Sequence, residues 1–391
     1  VEIENAKIRM RVFVNGTDNF QIIKESKDTT TSEFKFKLNS IKFKNVDFGY
    51  ADYQSNQHYR VLFRNCKAKG DFSQDNYSLK LDGPLYLYDI SYDSVQYIKN
   101  KEAYANLQFD VNNKAGSYTV KKGNLVINKI PFNVSGRVIY SKNEKAINCT
   151  ITGDDLKLHS FIEALPSSQK AYFSKFESSG DFKFDLKIKG SFNNSKPLSI
   201  ELITDLKNGK ITNKENNLSL DDVNFSLRYT NGIDGTMNSS GLSFNNFSAR
   251  LKSGVFKGKF NIKNLNKPKI DTDFKGEVNL SDLAQFLKND AITSMSGKLQ
   301  VDAKIKINLR SWDNITANDF LNSESSGKIT LTNGNIQLNS YPLPIKITKS
   351  DFAFSKSDIL INEMKGTIGG SDYALDGSFV NILPFFFIEH Q

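Results

Sequence analysis

Hydrophobic and polar residues alternate along most of this chain, for example over residues 34–38 and 181–189. A period of two is typical of β-strands that have one buried and one solvated face. Asp82-Gly83 tolerates the positive φ of tight turns, so this pair predicts a hairpin between two successive strands. We therefore expect a mainly β chain folded as an antiparallel meander.

Apolar residues recur at helical spacing in two short segments. The first predicted helix begins at Asp154 or Asp155 and ends at Pro166. The second runs from Ser281, its cap, to about Lys288. Two interpretations stay open, because the helices either plug the end of the sheet or act as gates or partner surfaces.

The sequence contains two repeats, each of which consists of one predicted helix and the strands that follow it. Each copy contains a helix, a serine-glycine pair, an alternating strand and an asparagine-glycine pair that predicts a turn. These features are Ser179-Gly180, residues 181–189 and Asn208-Gly209 in the first copy, and Ser296-Gly297, residues 298–307 and Asn333-Gly334 in the second. Repetition of such a module is typical of a sheet that grows by the addition of units.

The repeat predicts three regions within one continuous sheet. Residues 1–150 form an N-terminal antiparallel β region, residues 151–274 the first helix-plus-sheet repeat, and residues 275–391 the second repeat. The predicted fold is an elongated, twisted antiparallel β-sheet that is curved into a hydrophobic groove and carries a few short helices.

Composition indicates a folded chain, and the net charge raises the question of a nucleic-acid partner. With 38% hydrophobic residues, 30 Phe and 15 Tyr among 391 residues, the chain is too apolar and aromatic to be disordered. The formal net charge is +9, but the lysines alternate with apolar residues along strands instead of clustering. This spacing indicates a solvated sheet face, and without a recognition helix or zinc spacing we expect no nucleic-acid partner.

The chain lacks motifs that bring catalytic or metal-binding groups together. His58, His159 and His390 stand in unrelated contexts, and Cys66 and Cys149 are predicted to be isolated thiols. Two acidic pairs are interpreted as helix-capping or loop residues. The pairs are Asp154-Asp155 and Asp221-Asp222. We predict no catalytic residue, no metal, no cofactor and no enzymatic activity.

The apolar faces of the two repeat strands are the remaining candidate site. One alternative is that a second sheet or a helix covers them; the other is that they line an open trough for acyl chains. Lys183, Lys187, Lys304 and Lys306 are expected to face water. The predicted groove-lining residues are Phe182, Phe184, Leu186, Ile188, Leu299, Val301, Ala303, Ile305 and Ile307.

Three motifs follow one another in the C-terminal part of the chain: a G-x-I-x-L-x-N-G strand, a Phe-x-Phe strand and a closing G-x-x-G-G-S-D-x-x-x-x-G segment. They occupy residues 327–334, 352–354 and 366–377. By these motifs, residues 275–380 resemble the AsmA family. The first repeat keeps Asn208-Gly209 but lacks the double glycine, so its match is partial. The Lys-, Asn-, Phe- and Ile-rich composition suits a Bacteroidetes-type member.

The resemblance implies a function in lipid transport. AsmA-like proteins, which include TamB- and YhdP-like members, resemble bridge-like lipid transfer proteins with a repeating β-groove. By this resemblance the chain is a periplasmic segment, tethered to the inner membrane by an N-terminal anchor outside it. Its expected partners are phospholipid or another acyl lipid, and the inner and outer membranes. The apolar segment 382–388 leads us to expect that the native chain continues or docks there.

Two other functions stay open. The first is a non-enzymatic periplasmic factor that modulates outer-membrane protein or lipopolysaccharide assembly, and binds assembly proteins, through an exposed sheet edge. The second is a structural or carbohydrate-binding β-sandwich, which predicts a closed core and clustered exposed aromatic residues.

Overall fold

The computed structural model confirms the predicted fold class. Of the described residues, 72% are in strands and 6% in helices, and the strands form a twisted, curved and mainly antiparallel sheet. The described residues are 1–20, 39–72, 74–92, 95–141, 144–165, 170–191, 197–287, 292–313 and 316–381. The predicted apolar end at 382–388 lies outside them.

The described residues form two compact units. The first contains residues 1–156, 160–173 and 185–198, and the second contains residues 157–159, 174–184 and 199–391. Neither unit tests the predicted boundaries at residues 150 and 274, which stay predictions.

In the described part of the chain, the first unit contains eight complete strands and all of a ninth except its last residue. The strands are β1 Glu2–Glu4, β2 Lys7–Val12, β3 Ser40–Asp52, β4 Gln57–Lys69, β5 Asn76–Tyr92, β6 Val95–Asn112, β7 Ser117–Ile127, β8 Ile130–Tyr140 and β9 Lys145–Lys157. Strands β3 to β9 pair with their sequence neighbours in antiparallel fashion. Strands β1 and β2 instead pair in parallel with β3, which the meander prediction missed. Helix α1 Leu158–Ala164 and a 3₁₀ turn at Ala171–Phe173 follow β9.

Strand β10 Phe176–Ser191 pairs with β9 and β11, and the second unit continues the antiparallel order. Its strands are β11 Ser199–Asn213, β12 Ser219–Thr230, β13 Gly241–Leu251, β14 Gly254–Lys263, β15 Lys269–Asn279, β16 Ile292–Asn308, β17 Ser326–Leu338, β18 Tyr341–Ser355, β19 Asp358–Ile368 and β20 Ser371–Phe379. Helix α2 Leu280–Leu287 lies between β15 and β16, and helix α3 Ala317–Leu321 between β16 and β17.

The two predicted helices differ in how well their starts were placed. The second prediction is confirmed in its position, because α2 begins at Leu280, but Ser281 lies within the helix and is not its cap. The predicted end at Lys288 lies outside the described residues. The first was wrong at its start, since Asp154 and Asp155 lie in β9 and the helix begins at Leu158. Asp155 adopts a φ of 51°, so this acidic pair marks an irregularity in the strand and not a helix cap.

The predicted turns at the glycine pairs were also wrong. Gly83 lies inside β5, Asn208-Gly209 inside β11 and Asn333-Gly334 inside β17. Asn208 and Asn333 do adopt positive φ values, 52° and 51°, but they serve β-bulges. The register between β11 and β12 shifts at this point, between Leu206 and Gly209.

The two repeats place their serine-glycine and asparagine-glycine pairs against each other. A Cβ atom on Gly180 would lie 2.8 Å from the Gly209 Cα, and one on Gly297 would lie 2.7 Å from the Gly334 Cα. Gly180 and Gly297 have φ values of 132° and 114°. Gly180 and Gly297 therefore have similar backbone conformations and the same close contact with the neighbouring strand. A side chain on either glycine would clash with that strand's backbone.

We expect Gly297→Ala to lower the free energy of unfolding by about 2–4 kcal/mol, because it adds a backbone clash to an unfavourable φ. Urea denaturation measures this change. Gly370→Ala is the matched control, because no atom lies within 4 Å of the added Cβ. Equal stability of the two variants would contradict the close glycine contact.

Candidate functional site: an apolar sheet face

Rows of apolar side chains run across the strands of the second unit. Directly opposed residues of an antiparallel pair lie on the same side of the sheet, so the register defines these rows. One row contains Thr204, Leu227, Phe244, Phe260, Thr272 and Ile305. The next contains Ala249, Phe256, Gly276, Val301, Ile329 and Phe352. A third contains Leu251, Gly254, Val278, Leu299, Leu331 and Ser350. We call this side of the second unit the apolar face.

The opposite side, which we call the polar face, carries ion pairs between neighbouring strands. Lys275 lies 2.8 Å from Asp302, and Lys298 lies 2.7 Å from Glu277. These side chains are about half exposed, so the pairs contribute little stability individually. They show that charge is confined to one side of the sheet.

Helix α2 covers one end of the apolar face. Phe286 packs with Leu251 and Val278, and Leu280 packs with Leu331 and Ile347. These contacts explain why the third row is buried at this end of the sheet. The position matches the interpretation of the helix as a plug.

The contacts of α2 require the sheet to curve around it. The Asn213 side-chain amide in β11 donates a hydrogen bond of 3.0 Å to the Phe286 carbonyl, while Ile347 in β18 contacts the same helix. Seven strand spacings separate β11 from β18, about 33 Å in a flat sheet. An eight-residue helix is only about 12 Å long. The apolar face is therefore the concave side of the second unit at this end.

The middle of the apolar face is only half-buried. Phe244, Phe260, Phe274, Val301 and Ile305 all have intermediate exposure. At the far end Ile262 and Ile307 are buried again, 5% and 7% exposed. Among the described residues of the second unit, every strand belongs to the same sheet, so no second sheet of this unit covers the face.

The predicted lining residues occupy β10 and β16. Of the residues in β10, Phe182 is buried while Phe184, Leu186 and Ile188 are half-buried. In β16, Ala303 and Ile307 are buried while Leu299, Val301 and Ile305 are half-buried. Lys183, Lys187, Lys304 and Lys306 are exposed.

The structure brings only part of this set together. The five residues of β16 lie on the apolar face of the second unit, where Leu299 joins Phe176 of β10 in the cluster under α2. Phe182 and Phe184 also belong to the second unit, whereas Leu186 and Ile188 belong to the first. Their role in lining a groove stays a prediction.

Sequence reasoning missed the phenylalanines of β12 to β15. Phe225 and Phe244 stack with ring centroids 4.6 Å apart, and Phe256 and Phe274 with centroids 6.2 Å apart. Phe260 lies in the same row as Ile305. The signal was present, because polar residues separate Phe256, Gly258, Phe260 and Ile262 in the sequence.

The sheet of the first unit also curls. Burial, followed by the nearby Tyr140 hydroxyl to which it is hydrogen-bonded, raises the pKa of Tyr50. Tyr50 lies in β3 and Tyr140 in β8, five strand spacings or about 24 Å apart in a flat sheet. Burial raises the pKa of Asp52 in β3, but hydrogen bonds from Ser55 and Gln54 and the charge of Lys145 in β9 outweigh it and lower that pKa. Lys145 therefore also lies near β3. Strong curvature is the simplest geometry that allows these contacts.

A carboxylate held by two arginines joins the first strands of this unit. Arg9 lies 2.6 Å and Arg60 2.8 Å from the same Asp47 oxygen. The hydrogen bond from Arg60, followed in effect by that from Arg9, outweighs burial and lowers the pKa of Asp47 to about 2. The contacts connect β2, β3 and β4, so their role is structural.

Acidification should remove the contribution of Asp47. A lowered folded-state pKa adds stability that is fully present above the unfolded pKa of about 4 and is lost as the pH falls towards 2. Because the two arginines are partly exposed, we expect the loss to be about 1–2 kcal/mol. Urea denaturation between pH 5 and pH 2.5 should show this loss in the wild type.

Asp47→Asn should lose less stability than the wild type over this pH range, while Glu363 and the other carboxylates with lowered pKa values still titrate. Glu102→Gln is the control, because it breaks an exposed ion pair with Arg64. If Asp47→Asn and the wild type lost the same stability on acidification, the paired carboxylate would not be its source.

The remaining sequence predictions concern the acidic, histidine and cysteine side chains. No group of three His, Cys, Asp or Glu side chains in the part of the chain that the structure describes could hold a metal ion. Asp221 and Asp222 lie in strand β12 and not in a loop. In this strand Asp221 forms an ion pair with Lys210, and Asp222 forms one with Arg250. The capping-or-loop interpretation of this pair was therefore wrong.

The prediction of two isolated thiols is confirmed. Cys66 is fully buried in the core of the first unit and donates a hydrogen bond of 3.0 Å to the Pro84 carbonyl. Burial raises the pKa of the Cys66 thiol to about 11. Since the thiolate is the reactive form, Cys66 is chemically inert in the folded protein.

No protein-family model, curated protein or solved structure matches this chain. The resemblance to the AsmA family therefore stays a prediction from the sequence motifs. No helix among the described residues is long and apolar enough to cross a membrane.

Proposed function

We propose that the apolar face of the second unit binds the acyl chains of a lipid. The observation that carries the proposal is the half-buried middle of this face, where Phe244, Phe260 and Ile305 lie between two buried ends. A concave strip of aromatic and aliphatic side chains is the environment that acyl chains favour.

The dimensions of the strip suit this ligand. Leu299 lies under α2 and Ile305 lies six residues further along β16, a separation of about 20 Å. An acyl chain spans about half of a hydrocarbon core that is about 30 Å thick. One chain therefore fits between the end that α2 covers and the far end.

The family resemblance extends the proposal from binding to transport. If residues 275–380 belong to an AsmA-like protein, the chain is a periplasmic, inner-membrane-tethered segment that supports lipid transport between the inner and outer membranes. The polar face would then keep the protein hydrated while the apolar face shields lipid.

Native mass spectrometry with lipid extraction tests the binding step. We expect the purified chain to carry phospholipid, and Ile305→Asp to lose it because a carboxylate would enter the lipid strip. Lys304→Asp is the matched control, since it places the same charge one residue away on the polar face. Thermal unfolding must show that both variants are folded.

Two results would argue against acyl-chain binding. One is a wild-type protein free of lipid that also fails to take up a fluorescent fatty acid. The other is equal lipid content in folded Ile305→Asp and Lys304→Asp proteins.

One observation favours the assembly-factor alternative. Within the described residues β20 pairs only with β19, so its other edge offers free backbone groups for strand addition. A lipid-free protein that binds an outer-membrane assembly protein, and loses it when Ala374→Pro disrupts β20, would favour this function. The single sheet offers no support for the sandwich alternative.

A further inference from the structure

A cleft of about 470 Å³ lies in the second unit, and most of the side chains that line it belong to the polar face, although Ile270 and Ile307 also take part in the lining. Lys263 and Lys269 line it from β14 and β15, and Lys306 lines it from β16. The segment after α3 forms a wall, because the Glu324 amide donates a 2.9 Å hydrogen bond to the Lys306 carbonyl. The volume is within the range of small-molecule sites.

Two lysines in this cleft stand directly opposite each other. Lys263 is the cross-strand partner of Lys269 in the register of β14 and β15. Side chains at such positions have Cβ atoms about 5 Å apart, and like charges there destabilise the sheet. Neither ammonium has an ion-pair partner within the described residues, unlike Lys306, which donates a hydrogen bond of 3.2 Å to Glu324.

A second pair of opposed lysines on the same two strands differs from the pair in the cleft, because one of its members has an acidic partner. Lys257 is opposite Lys275, but Lys275 lies 2.8 Å from Asp302. The repulsion in that pair is offset by a carboxylate of the chain. In the cleft, the acidic residue nearest to Lys269 along the chain is Asp271, two residues away. The lining contains three lysines and two acidic residues, so its net charge is +1.

We infer that this cleft binds a phosphate ester, with the phosphate between Lys263 and Lys269. An anion there would relieve the repulsion between the two ammonium groups and accept hydrogen bonds from both. The amides of Asn261, Asn308 and Asn322, which also line the cleft, can bind hydroxyl groups of the ester. The ester is either a free small molecule or a lipid head group.

The single tryptophan provides a native reporter of binding. Trp312 donates a hydrogen bond of 2.8 Å to the Leu265 carbonyl, in the connection that joins Lys263 to Lys269. Its side chain is 46% exposed, so its fluorescence responds to changes around this connection. A titration with sn-glycerol 3-phosphate is expected to change this fluorescence to saturation, and glycerol is expected to have no effect.

Variants distinguish the site from general attraction to a basic protein. The double variant Lys263→Gln and Lys269→Gln should bind at least tenfold more weakly, whereas Lys257→Gln should bind within twofold of the wild type. Removal of the two opposed charges should leave the thermal unfolding midpoint unchanged or higher, so the double variant is expected to fold.

Sedimentation with vesicles identifies the source of the phosphate. Binding of glycerol phosphate that the double variant loses supports a free ester. Binding to phosphatidylglycerol vesicles alone, again lost in the double variant, supports a lipid head group, with phosphatidylcholine vesicles as the control. The inference is overturned if neither probe binds, or if the double variant binds as well as the wild type. Because Lys263 and Lys269 lie on the polar face and Ile305 does not line the cleft, Ile305→Asp should not weaken this binding, and either proposal can fail alone.

Discussion

Replacement of Phe286 with alanine is expected to lower the free energy of unfolding by about 3–5 kcal/mol. The side chain is 9% exposed, packs on Leu251 and Val278, and lies with its ring centroid 6.3 Å from that of Phe176. Its removal would leave a cavity between α2 and the strands β10, β13 and β15, which carry these three residues. Urea denaturation followed by circular dichroism measures the loss.

The control for this variant lies on the same helix. Gln285→Ala truncates an exposed side chain next to Phe286 and should change the stability by no more than about 0.5 kcal/mol. A loss below about 1 kcal/mol for Phe286→Ala would contradict the plug interpretation of α2. It would favour the gate, because a helix that contributes so little could leave the end of the apolar face at low cost.

The local pattern of the sequence predicts most of the fold, because strands and helices have different periods. The alternation over residues 181–189 and 298–307 lies within β10 and β16, and the spacing of Leu283 and Phe286 predicts α2. These features depend on residues that are near each other in the chain. The same pattern predicts that Lys304 and Lys306 are exposed.

The asparagine-glycine pairs show where local information stops. Asn333 needs positive φ whether it forms a hairpin turn or a bulge, so the sequence alone cannot choose between them. The choice depends on Gly297, which allows the strand β16 to approach Gly334 to a distance that no side chain would permit. This partner is 37 residues away, and only the strand register identifies it.

The candidate site shows the same limit. Ile305 and Ile307 have identical positions in the alternating pattern, but Ile305 is half-buried and Ile307 is buried. Their difference arises from what covers the two parts of the face. The opposed lysines of the cleft were also hidden, because Lys263 and Lys269 become neighbours only when β14 pairs with β15.

Replacement of Leu251 with alanine should lower the free energy of unfolding by about 2–5 kcal/mol, as expected for a fully buried leucine. The side chain is 1% exposed and packs with Val278 of β15 and Phe286 of α2. Leu360→Ala in β19 is the control, because that leucine is 44% exposed and should change the stability by less than about 1 kcal/mol.

A double-mutant cycle makes this measurement a test of the packing of α2 on the apolar face. Leu251 of β13 and Phe286 of α2 belong to one cluster, so the effects of Leu251→Ala and Phe286→Ala should deviate from additivity by about 0.5–3 kcal/mol. If α2 did not lie on this end of the face, truncation of Phe286 would not alter the effect of Leu251→Ala. Additive losses in the double variant would therefore place Phe286 and Leu251 in separate environments, and the covered end that bounds the proposed lipid strip would not exist.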